Sequence, residues 1–206
     1  MVGFYNYTMI LTYAGVASSI MGIGFCIGQR PFAGLVCLMI AGFCDMFDGA
    51  VARTLERTER EKKFGIQIDS LADILNFGVL PVAIGYALGL RRWYETLVLV
   101  LYVLAALIRL AYFNVTEDEL QITKRTKRVA YDGLPVTTAA LLIPFICVFR
   151  PLMPEHFAYL YLAWLLVLAA SFVTKIKIRK PGMKGRIIAG CLGILILVAL
   201  GIQWTR

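Results

Sequence analysis

The sequence predicts an all-α fold, a polytopic membrane bundle of six or seven transmembrane helices with an acidic site on helices 2 and 3. Two observations predict the class: 60% of the 206 residues are hydrophobic with a mean hydropathy of +0.76, and the apolar runs repeatedly reach the ~20 residues that cross a bilayer. A third marks the site, because Asp45, Asp48, Asp69 and Asp73 interrupt two of those runs. No long polar stretch remains once the apolar runs are removed, which excludes a large soluble core and makes residues 1–206 a single domain.

The elements follow from apolar length and from breakers. Helices are expected over residues 9–28, 32–55, 65–89, 93–113, 135–151, 156–174 and 185–203. The segment MVGFYNYTMI lacks a basic n-region and a small-residue cleavage site, so the first run is expected to stay as a membrane helix rather than serve as a signal peptide. Gly28, Pro31, Pro135, Pro151, Pro154, Pro181 and Gly182 mark breaks, whereas Pro81 and Pro144 fall inside runs and predict kinks. Trp93, Tyr94 and Trp204 stand at run ends as interfacial anchors.

Charge orients the bundle. Alternating the helices puts the connectors 53–64, 114–134 and 175–186 on one side, and fifteen of the 21 basic residues fall there. By the positive-inside rule that side is cytoplasmic, and the acidic site opens to it. With seven helices the N-terminus lies inside and the C-terminus outside. The net charge of +8 is thereby assigned to a membrane surface and to phosphate rather than to nucleic acid. Cys26, Cys37, Cys44, Cys147 and Cys191 all lie in apolar runs without CxxC spacing, and the one histidine, His156, sits in an expected loop. Zinc and disulfide chemistry are not indicated.

The aspartates form two pairs spaced i, i+3 and i, i+4, so each pair projects from one face of its helix. Counted from the connector, Asp48 and Asp69 lie about 6–7 Å deep and Asp45 and Asp73 about 12 Å deep. An antiparallel hairpin therefore brings all four to matching depths. Four ionised carboxylates in a low-dielectric site demand protons or a bound cation. An all-oxygen donor set favours a hard divalent ion such as Mg²⁺ or Mn²⁺. A cation or proton transporter would need a polar path to the far side. Residues 32–43 are apolar or glycine, and the stretch after Asn76 reads FGVLPVAIGYALGL, which offers none.

Asp45, Asp48, Gly49, Ala52, Arg53, Gly65, Asp69 and Asp73 spell DxxDGxxAR followed by GxxxDxxxD. This resembles the signature of the CDP-alcohol phosphatidyltransferases, integral membrane enzymes that displace CMP from a CDP-activated lipid. Eleven residues separate Arg53 from Gly65, a longer connector than in the common form of the signature. The resemblance implies that Asp45, Asp48, Asp69 and Asp73 take part in binding a divalent metal, Mg²⁺ or Mn²⁺. It makes Asp73 the base that activates the acceptor hydroxyl. It also implies a nucleotide site at Asp48, Gly49, Ala52, Arg53 and Gly65, where small residues open space beside the carboxylates. A homodimer in a bacterial or archaeal cell membrane is implied as well.

Beyond the signature, Asp69-Ser70-Leu71-Ala72-Asp73, Phe77-Gly78-Val79-Leu80-Pro81, Arg109-Leu110-Ala111, Phe113-Asn114-Val115 and Gly133-Leu134-Pro135 resemble phosphatidylserine synthases most. That implies CDP-diacylglycerol and L-serine as substrates, with glycerol phosphate or an inositol phosphate as the alternative acceptor. Tyr112 stands where that group is expected to carry a basic residue. Arg109 is read as contacting a substrate anion or the acidic cluster, with snorkelling into the interface as the alternative. Lys124, Arg125, Lys127 and Arg128 hold either the diphosphate or anionic membrane lipids. Asn76 and Ser70 are placed near the site, although Ser70 follows Asp69 by one position and points some 100° away.

Overall fold

The computed structural model describes residues 3–4, 6–122, 130–179 and 182–204. It is a helical bundle. Helix α1 spans Ile10–Ile27 and α2 spans Pro31–Val51. Between them lies a three-residue turn in which Gln29 takes φ 56° and the Arg30 amide reaches back to the Phe25 carbonyl. The two helices pack closely because small residues face each other: a Cβ added at Gly22 would stand 2.8 Å from Cys37 Cβ and 2.9 Å from a Leu80 methyl carbon. Small residues at such seams let backbones approach within a membrane, where dispersion replaces the hydrophobic drive.

Helix α3, Glu59–Asp73, begins six residues before the expected position 65. Its start is set by a capping box: the Thr58 hydroxyl accepts from the Glu61 amide, and the Glu61 carboxylate accepts from the Thr58 amide at 2.8 Å. Glu59 and Glu61 also favour the positive end of the helix dipole, and Lys62 pairs with Glu59 at 2.8 Å. The charged stretch expected to be a loop is thus the solvated first turn of a helix.

The chain continues through a π-helical turn, Ile74–Val79, into α4, Leu80–Ala87. Pro81 explains the turn. Proline has no N–H to give the Phe77 carbonyl four residues earlier, and the Leu80 amide bonds Leu75 five residues back. The stranded carbonyl is met from outside the helix, by the Tyr102 hydroxyl at 2.7 Å. Helix α5, Trp93–Ile122, runs nine residues past its expected end. Its start is fixed by the buried Glu95 carboxylate, which accepts from the Arg91 and Arg92 amides at 2.7 and 2.8 Å.

The remaining helices are α6 (Ala139–Cys147), α7 (Phe157–Val173) and α8 (Met183–Trp204). Helix α6 is flanked by 3-10 turns, Val136–Thr138 and Arg150–Leu152, which carry it one residue past the expected 135–151 span. Two short strands, β1 (Ala130–Asp132) and β2 (Lys177–Arg179), pair antiparallel and tie two of the basic connectors together at one end of the bundle. Gly133 turns the chain out of β1 at φ 83°, its amide bonding the Ile176 carbonyl at 2.8 Å. A side chain there would press to 2.8 Å from the Phe172 carbonyl oxygen, so glycine is required.

Four helices, Tyr7–Ile27, Pro31–Thr54, Glu59–Ala87 and Trp93–Glu117, are long and apolar enough to cross a membrane. Val136–Leu152, Phe157–Val173 and Ile187–Gln203 are shorter apolar helices. Together they fit an integral membrane protein. The core between them is aromatic and aliphatic, with Phe77, Tyr102, Tyr161, Leu38 and Leu80 fully buried.

Candidate functional site

Asp45 and Asp48 lie on the last turns of α2, and Asp69 and Asp73 on the last turns of α3. One ligand oxygen from each of Asp45, Asp48 and Asp69 falls within 4.8 Å of the others. The Asp48 and Asp69 carboxyls are thus close neighbours. Neighbouring carboxylates tolerate such approach only with a shared proton or a cation between them. Oxygens about one octahedral Mg²⁺ stand up to about 4.2 Å apart, so these three could hold one ion between them. The donor set, all carboxylate oxygen, suits a hard divalent cation.

Asp73 is 7% exposed and lines the same cleft, one turn further along α3 from the triad. The cleft is walled by Leu11, Thr12 and Gly15 of α1, by Ala41 and Cys44 of α2, and by Ala72 and Asn76. Helix α1 is therefore the third wall, which the spacing of the aspartates did not indicate. Asn76 is held in the π-helical turn by Ser19 of α1, whose hydroxyl donates to Asn76 Oδ1 at 2.7 Å. Ser70 turns away from the cleft, as its position predicts, and donates to Asn114 of α5 at 3.0 Å. The bundle next to Asn76 closes with Phe77, Leu38 and Leu80, each 0% exposed, and is apolar.

The other expected residues distribute around the mouth. Gly49 is exposed, with open space where a Cβ would be. Ala52 and Arg53 occupy the 3-10 turn Ala52–Thr54 that ends α2, with Arg53 exposed. Gly65 is not open in the same way, since the Arg57 guanidinium lies against it. Arg109 is 6% exposed on α5, its guanidinium carbon 5.4 Å from the centre of the Phe113 ring and its Nε beside Gly133. It is thus buried among α5 and the Gly133 turn rather than extended into the interface, and it does not line the cleft. Lys124, Arg125, Lys127 and Arg128 lie outside the described residues.

Comparison with known proteins gives a consistent result. A family model described as CDP-alcohol phosphatidyltransferase matches residues 5–176. A CDP-diacylglycerol–serine O-phosphatidyltransferase of Helicobacter pylori is 30% identical over 98% of this chain and 83% of its own length. One of Saccharomyces cerevisiae is 34% identical over 66% of this chain, and the match spans 50% of the yeast protein's length. An archaetidylserine synthase of Methanothermobacter thermautotrophicus is 32% identical over 65% of this chain and 54% of its own.

Proposed function

Because the chain belongs to the CDP-alcohol phosphatidyltransferase family, we propose that it transfers a phosphatidyl group from CDP-diacylglycerol to L-serine, giving phosphatidylserine and CMP. The observation that carries this reading is the convergence of Asp45, Asp48 and Asp69 within 4.8 Å beside a buried Asp73. The serine acceptor is supported by the names of the three relatives above, two serine O-phosphatidyltransferases and an archaetidylserine synthase.

Asp45, Asp48 and Asp69 would hold a divalent cation, Mg²⁺ or Mn²⁺. When bound, it offsets the diphosphate charge and stabilises the departing CMP oxygen. Asp73 takes the proton of the serine hydroxyl as that oxygen attacks the lipid-side phosphorus. The bond from that phosphorus to the bridging oxygen breaks, and the electron pair leaves with CMP. Gly49, Ala52, Arg53 and Gly65 shape the nucleotide side, where the open flank at Gly49 admits a flat base. The apolar packing of Phe77, Leu38 and Leu80 next to Asn76 keeps water from the deep end and opposes an ion path through the bundle. By the charge of its connectors the cleft faces the cytoplasm, and the family resemblance implies a homodimer in a bacterial or archaeal cell membrane.

The reading is tested by CMP release from CDP-diacylglycerol with a panel of alcohols, with Mg²⁺ or Mn²⁺ and with chelator. L-serine is expected to support release better than glycerol 3-phosphate or an inositol phosphate, and only with metal. A clear win by either alternative would overturn the serine assignment and leave the reaction class intact.

A further inference from the structure

The connector between α2 and α3 holds a cation against the acidic helix. Residues 55–57 run between two hydrogen-bonded anchors. On one side the Thr54 hydroxyl donates to the Val51 carbonyl at 2.8 Å and meets the Tyr7 hydroxyl at 2.9 Å. On the other, Thr58 caps α3. Within this short bridge Arg57 is half-buried, and its guanidinium lies against α3 at Gly65. A Cβ built on Gly65 would stand 3.1 Å from Arg57 Nη1 and 3.8 Å from Met9 Cε. The N-terminal segment packs beside it, with the Phe4 and Phe64 rings edge to face at 5.5 Å.

Gly65 precedes Asp69 by one helical turn, so the guanidinium sits on the Asp69 face, about 6 Å nearer the mouth. Glu61, which accepts from the Thr58 amide and hydroxyl at the start of α3, also feels the Arg57 charge, and Glu59 pairs with Lys62. A cleft lined by four aspartates repels a dianionic diphosphate, and one divalent ion offsets only part of that charge. A cation at the mouth would offset more of it. Arg53 is exposed, and Arg109 is buried beneath Phe113 away from the cleft. Arg57 is half-buried and lies against Gly65, on the face of α3 that carries Asp69.

We propose that Arg57 is a binding residue for the diphosphate of the CDP-activated lipid, its planar fork taking the nucleotide-side phosphate at the mouth of the cleft. The inference rests on the transferase reading of the cleft. Gly65 then has a second role, since its missing side chain is what seats the guanidinium.

The test is a full kinetic comparison of the purified chain in detergent, varying CDP-diacylglycerol and L-serine separately. Arg57→Ala and Arg57→Gln are expected to raise KM for CDP-diacylglycerol by roughly ten- to a hundredfold, the scale of a charge-assisted hydrogen bond, with kcat and the KM for serine unchanged. Arg57→Lys restores part of the loss. Gly65→Ala displaces the guanidinium and raises the same KM. An unchanged or lowered KM for CDP-diacylglycerol in both Arg57→Ala and Arg57→Gln would overturn the inference while the transferase reading stands. So would an equal loss in every kinetic constant. A wild-type chain inert with every alcohol would overturn the transferase reading and this inference with it.

Discussion

The Tyr102 hydroxyl donates at 2.7 Å to the Phe77 carbonyl, the acceptor that Pro81 leaves without its helical donor. The bond crosses from α5 to the π-helical turn directly after Asp73, and both side chains are fully buried. The geometry of the deep end of the cleft therefore depends on a residue far from it in sequence. Tyr102→Phe leaves that carbonyl dry and unpaired, and the thermal stability of the detergent-solubilised protein is expected to fall by the equivalent of about 1–3 kcal/mol. An unchanged melting temperature would mean that a backbone amide already serves Phe77.

The capping box at Thr58 sets where α3 begins. Thr58→Ala removes one cap and is expected to cost about 1 kcal/mol, seen as faster amide hydrogen exchange over the first turn from Glu59. Protection unchanged at that turn would show that tertiary packing, not the cap, holds it.

The orientation rests on the fifteen basic residues of one connector set. In a background with the exposed Cys191 replaced by serine, cysteines at the exposed positions Arg60 and Trp93 are expected to differ on intact cells. An impermeant thiol reagent should label position 93 and spare position 60. The reverse pattern would invert the bundle.

Much of the site was legible because carboxylate spacing on a helix fixes direction: Asp45, Asp48 and Asp69 converge as their i, i+3 and i, i+4 positions require. The start of α3 was misplaced although Thr58-Glu59-Arg60-Glu61 carries the capping-box pattern, because a run of charges reads as a loop when hydropathy alone is weighed. The tail of α5 was lost for the same reason, since VTEDELQI is polar yet helical. Thr12, Gly15 and Ser19 on α1 had no local mark at all. Thr12 and Gly15 line the cleft and Ser19 holds Asn76 only through packing of α1 against α2 and the π-helical turn, a long-range relation that periodicity within one helix does not contain.

Asp48 belongs to the triad with Asp45 and Asp69, their ligand oxygens within 4.8 Å of one another. Asp48→Asn removes one anionic ligand, so the concentration of Mn²⁺ needed for CMP binding is expected to rise by tenfold or more, on the order of 1.4 kcal/mol. An unaltered metal dependence would take Asp48 out of the ligand set.

The central claim is that Asp73, 7% exposed beside the triad, is the base for the acceptor hydroxyl. The direct measurement is turnover and CDP-diacylglycerol binding together in Asp73→Asn, which keeps the size of the side chain and removes its basicity. Turnover with L-serine is expected to fall roughly 10²-fold or more, the scale of general-base loss, while the lipid nucleotide still binds. Near-normal turnover would remove Asp73 from the mechanism, and loss of binding would make it a ligand instead.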